Sequence, residues 1–98
     1  MVAIFQVDTA KYERITKMLK VLSHSVRLRI IQNLIVKGPL NVTEIYTLLG
    51  MPQSTISQHL SRLKMIKVVS CERKGLEVYY RVDDEMIIRL LDVLGLVS

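Results

Sequence analysis

Cysteine occurs once, at Cys71, which excludes an intramolecular disulfide and any metal site built on clustered thiolates. A redox role for that thiol needs a partner on another subunit or a reactive thiol, whereas a cysteine in a valine-rich strand ordinarily serves as a small hydrophobe. Histidine is nearly as scarce. His24 and His59 are the only two, and neither stands beside a carboxylate, so no nucleophile, base and orienting group are arranged along the chain. The four glycines are scattered, and neither a P-loop nor a dinucleotide-binding glycine pattern is present. An enzyme assembled only by folding stays open, but nothing linear points to one.

Long apolar runs are missing too. A membrane span requires about 18 uninterrupted apolar residues, and the most apolar stretch, Met86 to Val97, is broken by Arg89, Asp92 and Gly95. The first eight residues, Met1 to Asp8, lack the basic start and long apolar centre of a secretory signal. The expected location is the cytoplasm, with no membrane partner. No Pro/Gly/Ser-rich linker, low-complexity tract or repeat divides the 98 residues, which read as one domain over 1–98.

What is abundant is apolar surface: half the residues are hydrophobic and the mean hydropathy is +0.31. A lone domain of this size buries only part of its surface, so the surplus predicts an interface between subunits. The net charge is +5, and its distribution is uneven. Cations against anions number seven to three over 1–50, six to two over 51–82, and one to four over 83–98. A basic body with an acidic tail helix suits a protein that offers one face to a polyanion and another to a copy of itself. On charge alone, an ordinary solvated basic surface explains it equally well.

Apolar spacing predicts a first helix over about 9–22, capped by Asp8, with Tyr12, Ile15, Leu19 and Leu22 on one stripe and Lys11, Arg14 and Lys17 opposite. A second begins near Ser23 or Ser25 and ends at Lys37 before Gly38-Pro39, burying Leu28, Ile31, Leu34 and Ile35. Asn41-Val42-Thr43-Glu44 has capping-box spacing and starts a third helix to Leu49, with Val42, Ile45, Leu48 and Leu49 inward. Gly50-Met51-Pro52 turns the chain into a fourth, about Gln53 to Ile66, so that 41–66 forms a helix-turn-helix.

The fourth helix buries only a narrow stripe, Ile56, Leu60 and Leu63. Short or hydrogen-bonding side chains cover the rest, and no carboxylate occurs from Pro52 to Ser70. Nothing on it repels phosphate, and much of it can donate to or accept from a base edge. Alternation then predicts a β-hairpin wing over 68–82 with a basic Lys74-Gly75 turn. A last helix over about 84–94, capped by Asp83 or Asp84, carries Ile87, Leu90, Leu91 and Leu94 on one side. The fold class is α+β, mainly α: five helices and a hairpin, four helices preceding the two strands and one following.

This order of elements resembles the ArsR family of winged helix-turn-helix regulators. The resemblance covers about residues 15–94. It is carried by Leu22-Ser23-His24-Ser25-Val26-Arg27-Leu28-Arg29-Ile30, by Gln53-Ser54-Thr55-Ile56-Ser57-Gln58-His59-Leu60, and by Lys74-Gly75 followed by Tyr79-Tyr80. Within the family, Leu40-Asn41-Val42-Thr43, Gln53-Ser54-Thr55 and Gly75-Leu76-Glu77-Val78-Tyr79-Tyr80 resemble repressors that lack a metal site. Metal-sensing members place cysteines on the third helix, where this chain reads Asn41-Val42-Thr43-Glu44-Ile45, or histidines on the last, which has none here. Carboxylates alone make a poor zinc site, so neither metal nor cofactor is expected. Lys67 stands where the family usually has glycine, and a lysine with positive φ costs about 1 kcal/mol, so the fourth helix is expected to end differently. Ser25 replaces a common proline, harmlessly at a first turn.

The resemblance implies a repressor that binds double-stranded DNA at an inverted-repeat operator as a homodimer. The expected DNA-binding residues are Gln53, Ser54, Thr55, Ser57, Gln58, His59, Ser61, Arg62 and Lys64 on the fourth helix, with Arg73 and Lys74 at the wing tip. Lys67 joins Arg62, Lys64, Arg73 and Lys74 in neutralising phosphate. The bland alternatives are a polar surface helix and solvated turn charges. His59 is a DNA contact, a packed histidine or a pH-sensitive group; the resemblance favours contact or packing over a ligand role. His24, far in sequence from any plausible co-ligand, reads as structural, and of the two wing tyrosines Tyr80 is expected inward. Tyr12, Ile15, Leu19, Leu22, Ile87, Leu90, Leu91 and Leu94 are expected to form the dimer interface. The rival reading is a winged-helix module that binds protein without specific DNA binding; an acidic or aromatic surface would favour it, and this surface is basic and hydroxyl-rich.

Overall fold

The computed structural model describes residues 7–97, so most of the N-terminal stretch weighed above as a secretory signal lies outside them. Helix α1 (Thr9–Leu22) starts where the Asp8 carboxylate accepts the Lys11 amide at 3.0 Å. Its apolar stripe is largely unburied: Tyr12, Ile15 and Leu19 are exposed, and only Leu22 enters the core.

Helix α2 (Ser25–Lys37) is capped by His24, whose Nδ1 accepts the Val26 amide at 3.2 Å. It buries Ile30, Ile31 and Leu34, whereas Leu28 and Ile35 are half-buried. Ile30, absent from the expected stripe, is buried because α2 is surrounded, touching α1, α3, α4 and the hairpin. A stripe of 3.6-residue period describes a helix with one buried side; a central helix buries neighbouring positions as well.

A two-residue strand not anticipated from the sequence, β1 (Leu40–Asn41), precedes α3 (Val42–Leu49). The capping box forms as read: Asn41 Oδ1 accepts the Glu44 amide at 2.8 Å, and Glu44 Oε1 accepts the Asn41 amide at 3.0 Å. Ile45 and Leu49 are buried, but Leu48 is 46% exposed, contrary to its inward assignment. Leu48 lies about 100° around the helix from Leu49, on the side that α3 turns to solvent.

After α4 (Gln53–Met65), the strands β2 (Ser70–Lys74) and β3 (Glu77–Arg81) form the hairpin. The sheet has three antiparallel strands in the order β1-β3-β2, with Tyr80 facing Leu40 on one side and Cys71 on the other. The turn falls one residue later than read. Lys74 still pairs with Glu77, and Gly75-Leu76 forms the loop, with Gly75 at φ 65°. Val68 and Val69, expected in the first strand, are buried residues of the connection between α4 and β2.

The chain closes with α5 (Glu85–Val93), where the Asp84 carboxylate accepts the Met86 amide at 2.9 Å. Gln32 Nε2 donates to the Leu96 carbonyl at 2.7 Å, tying the residues after α5 to α2. One contiguous core runs through all five helices, and each of its fully buried Leu and Ile side chains contributes about 1.5–3 kcal/mol.

Candidate nucleic-acid interface

The α3–α4 turn is closed by Gly50 in the left-handed conformation (φ 64°) and by the Met51 amide donating to the Tyr46 carbonyl at 3.2 Å. Pro52 then enters α4 with φ −60°. Ile56, Leu60 and Leu63 are at most 1% exposed and anchor α4 to the core. At 100° per residue that anchoring decides where every other side chain points. Ser54, Gln58 and Ser61 face directly away from the core. Thr55 and Arg62 occupy one flank, with His59 closer to the core on the same side; Ser57 and Lys64 occupy the flank nearer the hairpin.

The outer face is free for a ligand. Among the described residues, Gln53, Ser54, Thr55, Ser57, Gln58, Ser61 and Arg62 make no side-chain hydrogen bond or ion pair within the chain. Gln53, Ser54, Gln58, Ser61 and Arg62 are exposed; Thr55 and Ser57 are half-buried. With no carboxylate in its first turn, the positive end of α4 is also uncompensated.

The hairpin tip adds two cations. Arg73 Nε donates to the Gly75 carbonyl at 3.1 Å, folding that guanidinium over its own turn. Lys74 Nζ stands 5.8 Å from the Tyr79 ring centroid, a cation–π distance. The hairpin's third cation, Arg81, is held by Glu72 at 3.2 Å and Asp83 at 2.7 Å, so it is less available than Arg73 and Lys74. Tyr80 packs on the core, as read.

One placement differs from expectation. His24 is not isolated: its ring centroid lies 4.5 Å from that of His59, and Arg27 Nε donates to His59 Nδ1 at 3.1 Å. Burial, together with the neighbouring His24, Arg27 and Arg62, holds His59 below the usual histidine pKa. Cys71 is half-buried beside α4, where its proximity raises the pKa of Lys64. Arg27 is the residue that sequence reasoning missed; the signal available was a cation in the first turn of a helix with no first-turn acid.

Of the residues expected at a dimer interface, Leu22, Ile87 and Leu91 lie in the chain's own core at 4%, 0% and 0% exposure. Tyr12, Ile15, Leu19 and Leu94 are exposed, and Leu90 is half-buried. Among the described residues no three His, Cys, Asp or Glu side chains come together as a metal site, and no helix is long and apolar enough to cross a membrane.

Residues 24–69, from the cap of α2 through the whole helix-turn-helix, match the bacterial regulatory proteins of the arsR family. Over 90 residues the chain is 39% identical to the transcriptional repressor PagR of Bacillus anthracis, covering 89% of this chain and 90% of PagR. The chain belongs to the ArsR family. It is therefore a DNA-binding transcriptional regulator and not an enzyme. An uncharacterized HTH-type regulator of Methanocaldococcus jannaschii, MJ1325, is 38% identical over 87 residues, 86% of this chain and 98% of that protein. The crystal structure of PagR superposes with a TM-score of 0.81 at 36% identity, covering 89% of this chain and 99% of PagR. The homodimeric winged helix-turn-helix DNA-binding domain of Mb0332 from Mycobacterium bovis superposes with a TM-score of 0.81 at 29% identity, covering 97% and 87%. In this ArsR-family chain the second helix of the helix-turn-helix is α4 and the hairpin wing is β2–β3.

Proposed function

We propose that this regulator is a repressor that binds an inverted-repeat operator as a homodimer. Residues 1–98 act as one domain, in the cytoplasm where the chromosome lies. The observation that carries the reading is the outer face of α4: polar, free of carboxylates and without internal partners. Such a face enters the major groove, where Ser54, Gln58 and Ser61 meet base edges and Thr55, Arg62, Ser57 and Lys64 the walls. Gln53, at the start of α4, and His59, on its flank, complete the helix contacts. Arg73, Lys74 and Lys67 reach phosphate beside it.

The dimer reading rests on the exposed apolar residues of α1 and α5. Tyr12 and Leu19 on α1 and Met86, Val93 and Leu94 in or beside α5 are each at least half exposed, more than a monomer ordinarily leaves on two helices. Ile15 and the half-buried Leu90 extend the patch, and Leu22, Ile87 and Leu91 support it from beneath. An open cavity of about 590 Å³, floored by Ile15, Met18, Ile66 and Met86, separates α1 from the start of α5 and gives a partner helix room to seat. The homodimeric state of the Mb0332 domain points the same way. Two-fold symmetry then sets two α4 helices about one DNA turn apart, and an occupied promoter excludes polymerase.

The test is selection of binding sites from random duplex DNA by the purified protein, followed by a salt titration on the selected duplex. An inverted repeat with half-sites one turn apart, bound by two subunits with affinity falling steeply with salt, is expected. Sequence-independent binding would remove the operator reading, and no binding at all would leave the fold serving protein recognition.

A further inference from the structure

Arg27 lies in the first turn of α2, where a cation opposes the helix dipole, yet it is partly buried and bonded at both ends. Its Nη1 donates to the Val21 carbonyl in the last turn of α1 at 3.0 Å, and its Nε donates to His59 Nδ1 on α4 at 3.1 Å. We infer that Arg27 is a positioning residue for DNA binding, which fixes His59 as an Nε2–H donor. The inference rests on the DNA-binding reading of α4.

The chemistry is restrictive. A guanidinium nitrogen has no lone pair to offer, so the Nε–H of Arg27 can only donate. His59 Nδ1 must therefore accept, and a neutral imidazole that accepts at Nδ1 carries its hydrogen on Nε2. Nε2 has no partner among the described residues and is not a buried unsatisfied atom, so it reaches solvent on the flank that also carries Thr55 and Arg62. There the donor faces the acceptors that DNA supplies, phosphate oxygens or purine N7. The His24 ring beside His59 limits its rotation, so the donor's direction is set before DNA arrives. Without Arg27 the two tautomers interconvert, and one of them aims a lone pair at phosphate.

Two measurements test this together. Nitrogen-15 NMR of the full chain without DNA at pH 7.5 reads the His59 tautomer, which a purely structural role for Arg27 leaves undetermined. Affinity for the duplex obtained by site selection, and for a random-sequence duplex, is then measured for Arg27→Met, His59→Phe and the double variant, with folding checked by amide spectra. The expected results are the Nε2–H tautomer in the wild type, a mixture in Arg27→Met, and a loss on the order of tenfold in binding for either single variant. The double variant should bind no worse than His59→Phe alone. An Nδ1–H tautomer in the wild-type protein, which needs no variant to fold, overturns the proposal. So do losses that simply add. A wild-type protein that binds neither duplex overturns instead the DNA-binding reading on which the proposal stands.

Discussion

The Val68 amide donates to the Leu63 carbonyl at 3.0 Å, across a turn in which Lys67 takes φ 63° and donates its own amide to Lys64 at 3.0 Å. This is the Schellman ending of a helix, complete with the buried contact between Val68 and Leu63. The sequence led us to expect a different ending because lysine is costly there, and that expectation is overturned. The two hydrogen bonds and the buried pair outweigh about 1 kcal/mol of backbone strain.

Lys67→Gly should therefore raise stability by about 0.5 kcal/mol, the release of about 1 kcal/mol of strain less about 0.5 kcal/mol for the entropy that glycine loses on folding. The same change removes a cation near the recognition helix, so binding to DNA should weaken at low salt and its salt slope fall by about one. Chemical denaturation and a salt titration of affinity read the two effects separately. A stability unchanged or lowered would show that the turn carries no strain to release.

Arg62 is the cation on the flank of α4 with no internal partner. Arg62→Ala should weaken binding to the selected duplex by about 1–3 kcal/mol with an unaltered thermal midpoint. Equal affinities for variant and wild type would place Arg62 outside the interface.

Leu19 is 51% exposed on α1, away from the core that α5 fills with Ile87 and Leu91. Leu19→Asp should give a monomer in sedimentation, with helical circular dichroism largely retained and DNA binding weakened as the second half-site is lost. Leu90→Asp tests the same surface less cleanly, because Leu90 also packs on the core. A Leu19→Asp protein that remains a tight dimer would move the interface elsewhere.

His59 sets a pH dependence whose sign follows from its lowered pKa. The folded protein holds His59 deprotonated more strongly than the unfolded chain does, so the unfolded state binds more protons. Stability is then full above about pH 6.5, the unfolded histidine value, and declines as pH falls below it toward the folded pKa. The groups facing His59 are His24, Arg27 and Arg62, all of them basic, so none opposes the trend. Thermal midpoints between pH 7.5 and 5.5 should fall in the wild type and fall less in His59→Gln. Parallel curves for the two proteins would remove His59 as the cause.

Much of the site was legible because α4 declares itself locally. Ile56, Leu60 and Leu63 fix which side of the helix is buried, and a helix with one side fixed has all its directions fixed. Asn41 with Glu44, Gly50 with Pro52, and Asp84 act on backbone groups within four residues, so their roles are readable from spacing alone. The wing was legible to within one residue, since alternation shows the strands while the turn depends on which residue takes positive φ. Strand β1 was not legible: two residues carry no period, and Leu40 and Asn41 are extended because β3 offers them its free edge.

The sequence by itself determined the helices, the hairpin, the carboxylate-free outer face of α4 and the excess of apolar residues, because each follows from the spacing and chemistry of near neighbours. Only the tertiary structure decided that Arg27 meets His59 across 32 positions, that Lys67 bends into the left-handed region, and that Leu22, Ile87 and Leu91 fill the chain's own core while Tyr12, Ile15 and Leu19 remain exposed. Those outcomes depend on packing between distant segments, where the free energy of burying one side chain is set by neighbours that no local pattern names.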